Sequence, residues 1–171
     1  MERAAATRIA ILEAFSRLVL ETRRIRPPVA QLLRRAGVAR STFYEHFNSR
    51  DTLMLAAMEA PLCVIAEAIT GAPKVNHLAA LLEHFWDRRR DAIHLLSSHT
   101  APRIVRKLAD LIGERAASLD HDDAIRIADT QIGFVRLWIT AETPSAPQVL
   151  AEKMIASGRA QIGAFGEAGQ A

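Results

Sequence analysis

"VAQLLRRAGVARSTFYEHF", residues 29–47, decides how this chain folds. Its first half sets Val29, Leu32, Leu33 and Ala36 at i, i+3, i+4 and i+7, one face of an α-helix. Gly37 then supplies the left-handed backbone on which helices often end. In the second half Phe43 and Phe47 stand four apart and share a face, while Arg40 and Tyr44 share the neighbouring one. Ser41, Thr42 and Glu45 complete the polar side. The chain has two Trp, one Tyr and six Phe in 171 residues, and a third of these rings fall at Phe43, Tyr44 and Phe47. A core needs apolar area, but it has little use for a tyrosine and a histidine threaded between two phenylalanines. Two helices joined by a short glycine turn, the second with a basic polar face, describe a helix-turn-helix.

Charge concentrates around the same stretch. Residues 1–60 hold ten arginines against six acids, whereas residues 61–171 hold twelve basic residues against thirteen acidic ones. Arg23, Arg24, Arg26, Arg34, Arg35, Arg40 and Arg50 face only Glu45 between residues 23 and 50. Such a segment is the footprint of a polyanionic partner.

Working outward, residues 5–20 form a first helix, with Ile11, Leu12, Phe15, Leu18 and Val19 in one stripe. "RRIRPP" stops it. Pro27 and Pro28 can open the next helix because the first-turn N–H groups have no intrahelical partner. A fourth helix over 49–70 connects the halves, and Pro61 should kink or divide it near Glu59. Four longer amphipathic helices follow, over about 76–98, after "HTAPR", over about 122–141 and over about 146–165. Ala, Leu and Arg dominate and strand-like alternation is nearly absent, so the expectation is an all-α chain of about eight helices. The domain boundaries expected are 1–48 for DNA binding and 49–171 for a helical C-terminal domain.

The helix over 122–141 carries two apolar rows. Ile132, Val135 and Ile139 lie in one, Phe134 and Trp138 in the other, and together they are too wide for one neighbouring layer. Together with Met154, Gly158 and Ile162 of the last helix, Ile132, Val135, Trp138 and Ile139 are expected at a two-fold four-helix interface of a homodimer. Gly158 mid-helix fits a close helix approach.

A single cysteine, Cys63, excludes an intrachain disulfide framework and fits a reducing compartment. No run of 18 apolar residues occurs, so no membrane span is expected and the cytoplasm is the expected location. Enzyme readings fail on spacing. His-Glu-x-x-His is absent, and Asp91 with His94 makes only one of the two carboxylate–histidine pairs a helical di-metal site needs. Ser97, Ser98 and His99 lack a nucleophile elbow. There is no Gly-rich phosphate loop and no cysteine pair for zinc. The expectation is therefore no catalytic residues, no metal and no cofactor.

The residues "ILEAFSRL" (11–18) and "VAQLLRRAGVARSTFYEHFNSRDTLMLAAM" (29–58) resemble the TetR family of bacterial transcriptional regulators. The Ala-Gly-Val turn, Thr42-Phe43-Tyr44, His46-Phe47 and Ser49-Arg50-Asp51 fall in the family's order and spacing. The resemblance implies a dimeric repressor released from an inverted-repeat double-stranded DNA operator by a small-molecule effector. Phe43 and Phe47 become core anchors, and Arg40, Ser41 and Thr42 become the base-contacting turn of the recognition helix. Tyr44, His46 and Arg50 would meet phosphates. Pro27 and Pro28 replace the usual Ser/Thr cap of the second helix, so Arg26 or Arg24 would take over that contact. Ala39 stands in place of a serine cap, and Ser41 in place of a common glycine. Phe85, Trp86, His94, Gln131 and Phe134 are the candidate lining of an effector pocket, with packing of Trp86 on Phe134 as plain core the alternative. The alternative function is a DNA-bound protein-interaction or dimerisation module with no small-molecule pocket.

Overall fold

The computed structural model describes residues 2–22, 27–72 and 74–168. Within them the chain is all-α, with ten helices and no strand. It divides into two compact units, Met1–Met58 and Glu59–Ala171, the division falling after Met58 rather than after residue 48.

The first unit holds α1 (Glu2–Thr22), α2 (Val29–Ala36), α3 (Arg40–His46) and α4 (Arg50–Ala57). α1 packs on α2 and on α4. Ile11, Phe15 and Leu18 of α1, Leu32 of α2, Phe43 of α3, Phe47, and Leu53 and Met54 of α4 are buried together as its core. Gly37 ends α2 at φ 65°, as its sequence position predicts, and Val38 N–H closes the cap on Leu33 O at 3.1 Å. Ser49 caps α4 by accepting from Thr52 N–H at 3.1 Å, with Asp51 in the first turn where the helix dipole favours an anion.

The second unit holds α5 (Glu59–Thr70), α6 (Val75–Asp87), α7 (Arg89–Leu96), α8 (Ala101–Gly113), α9 (His121–Ile139) and α10 (Pro147–Ala168). Two expected helices are each divided, which turns eight elements into ten. The 49–70 helix breaks at Met58, so that Pro61 lies in the first turn of α5, where its missing N–H costs nothing. The 76–98 helix breaks at Arg88, whose backbone at φ −116°, ψ 25° leaves the helical region. The stretch Arg50–Thr70 is apolar and long enough to cross a membrane by length and composition. It is nonetheless broken at Met58, and Leu53, Met54, Leu62, Ile65, Ala66, Ala68 and Ile69 are buried inside the protein.

α9 lies against α6, α7, α8 and α10. Four neighbours from its own chain account for the width of its apolar stripe. Val135, Trp138 and Ile139 are each 2% exposed, Ile132 is 8% exposed and Met154 of α10 is fully buried. Side chains enclosed in one chain have no surface left for a partner, so these residues are corrected from interface to protomer core. Gly158 is likewise buried, and the close approach it permits is to Ile69 of α5 in the same chain. Ile162 is half-buried. Gln131 of α9 and Thr100 are fully buried polar residues, and Gln131 Nε2 donates to Met154 O at 3.2 Å.

Candidate nucleic-acid interface

α3 has seven residues, far too few to be helical alone, so packing must hold it. Phe43 and Phe47 do so. Both are fully buried, with ring centroids 5.9 Å apart. That anchoring turns the opposite face outward. Arg40, Ser41, Tyr44 and Glu45 are exposed, and Thr42 and His46 are half-exposed. The Tyr44 ring meets Phe43 edge-to-face, centroids 5.2 Å apart and planes at 82°, yet the residue stays 49% exposed. Its apolar body rests on the anchor and its hydroxyl is left for solvent or a ligand. Arg40, one turn before Tyr44, makes no ion pair or hydrogen bond among the described residues. Ala39 precedes the helix in extended conformation and gives it no side-chain cap.

Arg50, the first residue of α4, is exposed, and it borders a small apolar pocket lined by Phe15, Pro27, Val29, Leu32, Leu53 and Met54. An arginine stem on apolar surface with its head in water is a familiar arrangement. Arg35 is engaged by Glu21 of α1, which removes it from the pool of free cations. Arg23, Arg24 and Arg26 lie outside the described residues, so the expected Arg26 contact has no structural description.

Arg8 does not stand out in the sequence. From α1 its Nη1 donates to His46 O at 3.3 Å, and its guanidinium carbon lies 4.6 Å above the Phe47 ring centre. A signal for it exists: Arg8 precedes Ile11 by three and Phe15 by seven, a cation at the head of an apolar stripe.

The candidate effector residues of the second unit differ in their surroundings. Gln131 is committed to α10, His94 is exposed, and Phe85, Trp86 and Phe134 are half-buried. The ring Trp86 meets is Trp138, centroids 4.9 Å apart, with the Arg89 guanidinium 5.2 Å from the centre of Trp86. Gln131 Oε1, Gln161 Oε1 and Thr100 Oγ1 are buried without a hydrogen-bond partner. Among the described residues, no three His, Cys, Asp or Glu side chains come together as a metal-binding group.

An anchored short helix, preceded by a glycine-ended helix and exposing arginine, hydroxyls and tyrosine, defines a helix-turn-helix DNA-binding protein. Residues 28–57, spanning α2, α3 and α4, match the family model for bacterial regulatory proteins of the tetR family, which supports a TetR-family regulator of transcription. No curated protein matches the chain.

Proposed function

We propose that the protein is a homodimeric, cytoplasmic repressor that occupies an inverted-repeat operator and is released by a small-molecule effector. The observation that carries the DNA half is α3 itself: Phe43 and Phe47 fully buried on one side, Arg40, Ser41 and Tyr44 exposed on the other. Arg40, Ser41 and Thr42 read base edges in the major groove, and Arg40 suits guanine O6 and N7. Tyr44, His46 and Arg50 hold phosphates and so fix register.

Two recognition helices spaced by one duplex turn, roughly 34–36 Å, require a two-fold dimer. With the buried stripe of α9 used inside the protomer, the dimer surface falls on the outer faces of α9 and α10. Ala156, Ala160, Gly163 and Ala164 are exposed along α10, and small residues allow a partner helix to approach closely. Gly133 and Leu137 lie half-exposed on α9. A four-helix contact between protomers fits this surface.

The effector half rests on Phe85, Trp86, His94, Gln131 and Phe134 of the second unit. The alternative, an interaction module without a pocket, is favoured by Gln131 being bonded to Met154 O and by the tilted ring contact of Trp86 with Trp138. Sequencing of DNA selected by the protein from a random pool, followed by a reporter assay on the recovered site, tests the proposal. Repression through a palindromic site is expected. Activation by the intact protein, or recovery of no preferred sequence, overturns it.

A further inference from the structure

We infer that Arg8 is a positioning residue for the recognition helix, tying the last turn of α3 to α1 and so setting the angle at which Arg40, Ser41 and Thr42 meet DNA. The inference rests on the DNA-binding reading above and adds to it a residue on a different helix. α3 lacks a side-chain cap at its start, and its last backbone bond runs from Phe47 N–H to Phe43 O at 2.8 Å. The carbonyl of His46 is one of the terminal acceptors that a helix leaves unsatisfied. Arg8 supplies that acceptor with a donor at 3.3 Å and covers the Phe47 ring at 4.6 Å. It also sets a positive charge at the negative end of the helix. Three interactions from one side chain thus meet on one turn. A planar guanidinium can donate in its plane while its face covers a ring, which an ammonium cannot. Arg8 is exposed, so it adds little to the core and its loss leaves the helical unit able to fold.

The rival role for an exposed arginine here is a direct phosphate contact. Arg8→Ala and Arg8→Lys, made in the full chain, separate the two. The DNA probes are a duplex selected by the unaltered protein and a scrambled duplex of the same length. Arg8→Ala is expected to weaken binding to the selected duplex by about tenfold. It should weaken binding to the scrambled duplex far less, with the slope of log affinity against log salt unchanged. Arg8→Lys should recover little. In the free protein, amide exchange of Phe47 should quicken in Arg8→Ala while Leu32 and Leu33 of α2 keep their protection.

Equal weakening on both duplexes, with the slope smaller by about 0.9 and recovery in Arg8→Lys, would make Arg8 a phosphate contact and overturn the inference. Unchanged affinity and exchange would overturn it as well. So would quickened exchange throughout α1 to α4, which would make Arg8 a support of the whole unit. If the unaltered protein selects no sequence, the DNA-binding reading fails, and the exchange measurement still decides whether Arg8 ties α3 to α1.

Discussion

Gly158 and Ile69 touch so closely that a Cβ at position 158 would stand 2.6 Å from Ile69 Cγ2 and 2.8 Å from Ile69 Cβ. The same Cβ would stand 3.1 Å from Gln131 Nε2. Gly158 is thus the point at which α10 admits both α5 and the buried amide of α9. Gly158→Ala gains about 1 kcal/mol of helix propensity but overpacks the contact by about 1–3 kcal/mol. The expected outcome is a net destabilisation of about 1 kcal/mol in urea unfolding. Gly113→Ala, where nothing lies within 4 Å of the added Cβ, is the control and should be neutral or slightly stabilising. A stabilised Gly158→Ala would show that α5 and α10 are further apart than described.

That contact also marks how far the sequence could be read. The 29–47 segment was legible because its periodicity, its glycine and its two phenylalanines each demand the same local structure. Pro61 announced the break between α4 and α5. The break at Arg88 had no such mark, since residues 74–98 contain no glycine or proline and the apolar pattern runs on across it. On α9 the pattern gave the width of the apolar stripe but not the owner of the surfaces covering it. Periodicity reports that a side chain is buried, and is blind to whether its own chain or another buries it. Arg8 escapes notice for a related reason, because a search for apolar stripes passes over the cation at the head of one.

The correction to α9 changes how dimerisation must be tested. Val135→Glu places a carboxylate at a site 2% exposed within the protomer, so it should unfold the second unit at a cost of several kcal/mol. It would report on folding alone. Ala160→Glu lies on the exposed face of α10 and should leave helicity and thermal unfolding of the protomer intact. Sedimentation is expected to show a dimer for the unaltered protein at micromolar concentration and a monomer for Ala160→Glu. A dimer that survives Ala160→Glu places the interface elsewhere.

His84 gives the second unit a pH dependence of stability. Burial lowers its pKa below the ordinary 6.5; Arg88 lowers it further, and Asp87 opposes. As pH falls below 6.5 the unfolded chain takes up the proton before the folded one does. The stability is therefore complete above that value and declines progressively below it. Between about pH 7.5 and about pH 5.5, His84→Gln should lose less stability in urea than the unaltered protein does. Solvent on the exposed side of the residue keeps the effect small. Identical pH profiles for the two proteins would remove His84 from the account.

Arg40 and Arg50 are both exposed, yet they stand on different helices and are expected to fail differently when removed. Arg40 opens α3, which its two buried rings anchor, and on the proposed reading its guanidinium would meet a base in each half-site. Arg40→Ala should cost about 1–3 kcal/mol on the selected operator and relax preference at that one position. Arg50 opens α4 and borders the apolar pocket that Phe15 and Leu53 help to line, and on the proposed reading its charge would meet the DNA backbone. Arg50→Ala should weaken selected and unrelated duplexes alike and lower the salt slope by about 0.9 for each phosphate no longer neutralised. Binding measured over a salt series on a panel of single-base variants separates the two patterns. If Arg40→Ala lowers affinity equally across that panel, Arg40 holds a phosphate. Sequence would then be read by Ser41 and Thr42, whose hydroxyls carry a weaker preference among bases.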